Sequence, residues 1–210
     1  MEHTTTIYES ALSYISGYYE SLTQGSSENE ISILRSVAKV SIKIAEKEML
    51  KGRQLEHALL ASCFRYAGST GVILNEHLSK KLLVDFIAQV GYSQEDFAIV
   101  QAIIAKHVAK TAPSNIQEQV VWDALSYRLA MDDFLLNENY QTAEKNISDR
   151  TSYDELDLLN QIRDEFSGEH FYTDYAKRKY SKDLTRNYNK LNKRIQTLSR
   201  KFKTQEKELR

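Results

Sequence analysis

Five histidines, His3, His57, His77, His107 and His170, are the side chains of this chain best suited to ligate a metal or move a proton near neutral pH. No two of them fall four residues apart with a neighbouring Glu, so the helical zinc-protease arrangement is not present. Cys63 is the only cysteine, which excludes an intramolecular disulfide and a multi-cysteine zinc site. It sits in the apolar run Leu59-Leu60-Ala61-Ser62-Cys63-Phe64 and reads as a small buried hydrophobe. Gly68-Ser69-Thr70-Gly71 lacks the Lys-Ser/Thr that completes a phosphate loop, and reads as a turn. The adjacent carboxylates Asp132-Asp133 fit a solvated helix face or a cap better than an acid–base dyad. No nucleophile elbow is present. No short motif by itself defines a reaction.

The elements that must position any site are helices. One Pro and seven Gly in 210 residues leave little punctuation for a β-rich fold. Tyr8, Leu12, Ile15, Tyr19 and Leu22 recur at four, three, four and three, one face of a helix that the Gln24-Gly25-Ser26-Ser27 segment ends. The tyrosines of this helix (Tyr8, Tyr14, Tyr18 and Tyr19) read as packing groups, since nothing basic interleaves with them. A second helix is predicted over 30–50, with Leu34, Val37, Ser41, Ile44 and Ala45 inside and Gly52 at its C′ position. Further helices are predicted over 57–66, 76–90 (stopping at Gly91), 93–110 and 117–136. Another covers 153–166, after a polar loop at 137–152. Ser93-Gln94-Glu95-Asp96 resembles a capping box with Asp in place of Glu.

The last helix, 174–208, carries Leu184, Tyr188, Leu191, Ile195, Leu198 and Phe202 at heptad spacing, amid many Lys, Arg and Asn. Residues 175–210 hold 13 Lys/Arg and 3 Asp/Glu, a net of +10; the remaining 15 basic and 26 acidic residues give 1–174 a net of −11. An acidic body therefore carries a basic tail. A seam of fewer than three heptads must dock on that body or on a second copy. Its basic stripe could also contact nucleic-acid phosphates or an anionic membrane surface, although docking is favoured. The first residues lack a basic region followed by an apolar run, and no apolar stretch approaches the ~20 residues of a membrane span. A cytoplasmic location is expected.

Four segments share a wider pattern. They are Ile33-Leu34-Arg35-Ser36-Val37, Phe64-Arg65-Tyr66-Ala67-Gly68, Asn75-Glu76-His77-Leu78-Ser79, and the stretch from Asp123-Ala124-Leu125 to Asp132-Asp133-Phe134. Together, from Ile33 to Phe134, they resemble the HD-domain superfamily of metal-dependent phosphohydrolases, and most of all the HD portions of Pycsar-type effector proteins. The resemblance implies an all-α, HD-like helical bundle over 1–170, followed by the basic heptad-patterned helix 171–210. Ile33 stands where the branch has its first metal-binding His, Arg65 and Tyr66 where it has its His-Asp pair, and Asn75 where another His borders the site. Asp123 retains the last metal-binding Asp. His107 falls where the branch places pocket-lining residues.

Ile33 has no lone pair, Arg65 is a permanent cation, and Asp123 alone cannot hold a divalent ion. The resemblance is therefore to a degenerate member, with no metal, no cofactor and no catalytic residue expected. A candidate ligand pocket is expected at Arg65, Tyr66, Asp123, Asn75, Glu76 and His107. An Arg65–Asp123 ion pair, with Tyr66 donating nearby, is the expected surrogate for the metal. Three functions follow as alternatives. The favoured one is a silent binding or scaffold module for a nucleotide or a protein partner. The others are a phosphohydrolase with an atypical or absent metal, and a nucleic-acid binder acting through the tail.

Overall fold

A computed structural model describes residues 2–21, 27–67, 69–70, 73–74, 76–132 and 152–208. Among them are eight helices: α1 (Glu2–Ser21), α2 (Ser27–Lys47), α3 (Gly52–Ala67), α4 (Glu76–Val90), α5 (Gln94–Val108), α6 (Ile116–Ala130), α7 (Ser152–Phe166) and α8 (Asp174–Glu208). The strands among the described residues form one minimal antiparallel ribbon, β1 (Ser69–Thr70) with β2 (Ile73–Leu74), between α3 and α4. The chain is all-α, as its composition requires. Leu22, the Gln24–Ser26 break and the polar segment up to residue 151 lie outside the described residues.

α3 is the axis of the bundle. Every residue from Glu56 to Ala67 is buried, because α3 packs against α1, α2, α4, α5 and α6. A helix apolar on nearly all sides has no solvent face to offer and takes the centre. Leu60, Cys63 and Phe64 are fully buried. Burial pushes the Cys63 thiol up to about 12, so it packs and does not react. The five positions assigned to the inner face of α2 are all fully buried, and Ser41 meets Ser62 of α3 by a 3.0 Å hydroxyl–hydroxyl bond. From α1, the Tyr19 hydroxyl donates to the carbonyl of Ala67 at 3.0 Å, and Tyr14 stacks on Phe86.

The turn after α2 corrects one expectation. The left-handed residue that ends α2 is Met49 (φ 59°), three positions before Gly52, and the amide of Leu50 reaches back to the carbonyl of Ala45 at 2.9 Å. Gly52, itself at φ 53°, instead begins α3, five residues earlier than the periodicity suggests. α6 ends at Ala130 with Met131 as its extended C-cap, short of the expected Leu136. Gly91 does close α4 in the left-handed region, where a side chain would be strained.

α8 lies along the body through its seam. Leu184, Leu191, Ile195 and Leu198 are buried in the common core, and α8 packs on α6, α7 and α2. Tyr188 remains 38% exposed and stacks on Phe166 of α7; the side chain of Phe202 lies outside the described residues. The apolar face of the basic helix is thus engaged within one chain. No described helix is long and apolar enough to cross a membrane.

Leu191→Glu or Leu198→Glu is expected to lower stability by several kcal/mol, on the order of the 2–5 lost when a core Leu is truncated. Tyr188→Glu should cost much less. Chemical denaturation of the three variants checks the order, and unchanged midpoints for both Leu variants would mean the seam is not docked.

Candidate functional site

The expected Arg65–Asp123 pair does not form. Asp123 is fully buried, and its two carboxylate oxygens accept the backbone amides of Tyr172 (2.7 Å) and Thr173 (2.8 Å). Those residues lead into α8, where Thr173 is the cap, its hydroxyl accepting from Ala176 N at 3.2 Å. Helix α8 begins with unsatisfied amides and a partial positive charge, and a carboxylate meets both needs. The physical reason for the correction is therefore local. The counter-charge of Asp123 is a helix N-terminus that a sequence reading of two distant motifs does not reveal. Burial still pushes the Asp123 carboxyl up to about 6, against the pull of these hydrogen bonds.

Arg65 turns elsewhere. Its Nε donates to Nδ1 of His107 at 3.3 Å, while its Nη1 is buried without a hydrogen-bond partner among the described residues. Both residues line a cavity of about 260 Å³ between α3, α5, α6 and the turn after α7. Its charged lining is mixed: Arg65, Lys110 and Arg128 face Glu76, Glu165 and Glu169. Two of the acids are already engaged. Glu165 pairs with Arg128 at 2.9 Å, and Glu169 accepts from Trp122 Nε1 (3.2 Å) and from the Ser126 hydroxyl. Gly168 (φ 80°) makes the tight turn that aims Glu169 inward.

The electrostatics follow from this crowding. Burial, and next the Arg128 charge, lowers Arg65 to about 10. Burial, then Arg65 and Arg128, pushes His107 down to about 3, so the imidazole is neutral and offers its Nδ1 lone pair to Arg65. Its ring lies 4.9 Å from that of Trp122, which itself meets Tyr172 edge-on. Burial raises Glu169.

Of the six candidate residues, then, Arg65, Glu76 and His107 share the cavity, and Asp123 anchors α8. Tyr66 is buried in the apolar core, and Asn75 lies outside the described residues. Lys110, Arg128, Glu165 and Glu169 were not singled out from the sequence. Arg128 alone left a signal there, as a cation inside the otherwise apolar run of α6. Ile33 is 6% exposed in the apolar core. With Ile33 in the core, Arg65 cationic and both oxygens of Asp123 committed to amides, the residues at the family's metal positions do not fit a divalent ion. The Asp132 carboxylate pairs with Arg186 at 2.6 Å on the surface; Asp133 lies outside the described residues. At the far end of α3, Asp96 accepts from His57 Nε2 (2.7 Å) and from the Ser93 hydroxyl. The expected capping box is therefore half realised: Ser93 caps α5, and Asp96 reaches α3.

Scanned against known protein families, curated proteins and solved structures, the chain finds no match in any of the three. The HD-type likeness rests on the sequence motifs.

Two outcomes are expected. Asp123→Asn replaces one acceptor by a donor facing a backbone amide and should cost about 1–3 kcal/mol in denaturant unfolding. The exposed Asp132→Asn should cost under ~1. Equal, negligible effects would deny the anchoring role. The second outcome concerns pH. Unfolded His107 takes a proton below about 6.5, whereas the folded residue resists it until about 3. Stability therefore falls on acidification through this window, by at most ~1.4 kcal/mol per pH unit. The raised carboxyl of Asp123 acts in the opposite sense, so the measure is the difference between the wild type and His107→Gln. Identical pH–stability slopes between pH 5 and 6.5 would show that His107 is not held neutral.

Proposed function

We propose that this chain is a catalytically silent, HD-like binding module whose cavity receives the phosphate group of a small ligand, such as a nucleotide or another phosphate ester. The observation that carries this is the Arg65 Nη1 group, a charged donor buried with no acceptor among the described residues. Leaving a buried donor unmade costs about 1–3 kcal/mol, and more when it is charged. An anion in the cavity supplies the missing acceptor and relieves the repulsion between Arg65 and Arg128.

Lys110 supports the same reading. It occupies the turn after α5 at φ 50°, a position where Gly is free of strain, and it lines the cavity. The volume of about 260 Å³ lies just below the ~300–1,000 Å³ usual for small-molecule sites. It suits one phosphate and a modest organic group. A hydrolytic role is less well supported, because His107 is held neutral with its Nδ1 already bonded to Arg65, and no group of three metal-ligating side chains occurs among the described residues. The acidic partners Glu76, Glu165 and Glu169 give selectivity, since an anion must displace none of them yet fit among them.

Thermal unfolding with inorganic phosphate and with nucleoside monophosphates tests the reading. At 100 times the dissociation constant, a ligand adds about 2.7 kcal/mol, roughly 5–10 °C for a chain of this size. Arg65→Met should abolish that response and leave the ligand-free protein equally or more stable, because a buried unpaired charge is removed. A wild type that none of these ligands stabilises, or an Arg65→Met variant that responds equally, would refute it.

A further inference from the structure

We infer that the outward face of α8 is a docking surface for double-stranded DNA, bound through its phosphate backbone. Lys179, Lys182, Lys190, Lys193 and Lys201 are all exposed; at helical spacing the first four fall on the side of α8 away from the seam of Leu184, Leu191, Ile195 and Leu198, and Lys201 lies at its edge. None of the five forms an ion pair among the described residues. By contrast, Arg186 is held by Asp132 and Asp183, and Arg194 by Glu155. Acids thus engage one arginine on the lysine face, Arg186, which is seven residues from both Lys179 and Lys193, and one at its edge, Arg194, and leave the five lysines without an ion pair among the described residues.

The occupant follows from three constraints. First, the seam from Leu184 to Leu198 is consumed inside the chain, so this described stretch of α8 offers no apolar face to sink into a bilayer or to pair in a coiled coil. Second, the unpaired lysines are spread along most of α8. From Lys179 to Lys201 is 22 residues, about 33 Å at the helical rise, close to the ~34–36 Å of one DNA turn. A globular acidic protein offers no such extended array of equal charges, but a duplex does. Third, no aromatic side chain sits within the row to stack single-stranded bases; Tyr188 lies toward the seam and against Phe166. The exposed half of an α-helix matches the open major groove of B-DNA, whereas the deep, narrow groove of duplex RNA excludes it. The net charge of −11 on residues 1–174 repels DNA from the rest of the surface, which confines contact to this face and makes it strongly salt-dependent.

The test is fluorescence anisotropy of a labelled 20-base-pair DNA duplex titrated with the full chain at several salt concentrations. Five phosphate contacts give a slope of about −4.5 in log K against log salt, a loss of about 500-fold between 50 and 200 mM. The triple variant Lys182→Glu, Lys190→Glu, Lys193→Glu should lose binding at 50 mM salt while keeping its circular-dichroism melt, since all three positions are exposed. Arg65→Met should bind DNA as the wild type does, which separates this surface from the cavity. The inference is overturned by any of four results. These are no binding at 50 mM salt, a triple variant that still binds, tighter binding to an RNA duplex, and equal charge-dependent binding to vesicles of anionic lipid. Self-association that the same triple variant abolishes, with no DNA binding, would assign the row to a second copy and also overturn it.

Discussion

A single buried carboxylate organises the carboxy-terminal half of the molecule. Asp123, in the middle of α6, accepts the two amides that precede α8, and so fixes where the longest helix begins and in which direction it runs. Fourteen residues into α8, the buried amide of Asn187 answers by donating to the carbonyls of Leu129 (2.8 Å) and Met131 (2.7 Å) at the end of α6. The acid satisfies a helix start and the amide satisfies a helix end. Each supplies what the backbone lacks at that terminus, and neither group could be buried without the other helix. The apolar seam then closes between these two ties.

This arrangement sets the character of the cavity. Because Asp123 is committed to α8, it gives Arg65 no counter-charge, and Arg65 must share the lining with Arg128 and Lys110. The result is an interior that is balanced in formal charge but not in hydrogen bonds. Glu165 and Glu169 have partners, His107 is driven neutral, and one guanidinium nitrogen is left over. A fold that tolerates a buried unpaired donor beside a strained Lys110 accepts a stability cost in a place where a ligand can offset it. Ile33, Asp123 and Arg65 are divided between core packing, helix anchoring and this cavity.

α8 also divides its charge by face. Its apolar residues enter the common core, Arg186 and Arg194 meet the acids Asp132 and Glu155, and its exposed lysines stay solvated. A segment of net +10 docks on a body of net −11 without having all its charge neutralised, because helical geometry lets only part of its circumference reach the acids.

The helical class, most of the boundaries, the burial of α2 and the two faces of α8 were legible in the sequence, because helical periodicity is a local property that neighbouring residues impose on one another. So was the burial of Cys63, whose apolar run has only one place to go. What stayed hidden were pairings between distant backbone and side chain. That Asp123 meets amides at 172 and 173, that Arg65 meets His107, and that Glu169 turns back under Trp122 depend on which helix ends converge. Backbone donors at a helix terminus carry no residue type and leave no mark in a sequence, so the expected Arg65–Asp123 pair lost to a partner that no motif could announce. The sequence by itself determined which residues had to be inside; only the tertiary structure decided which buried charge faced which, because that choice is made by the relative placement of helices rather than by any residue's own chemistry.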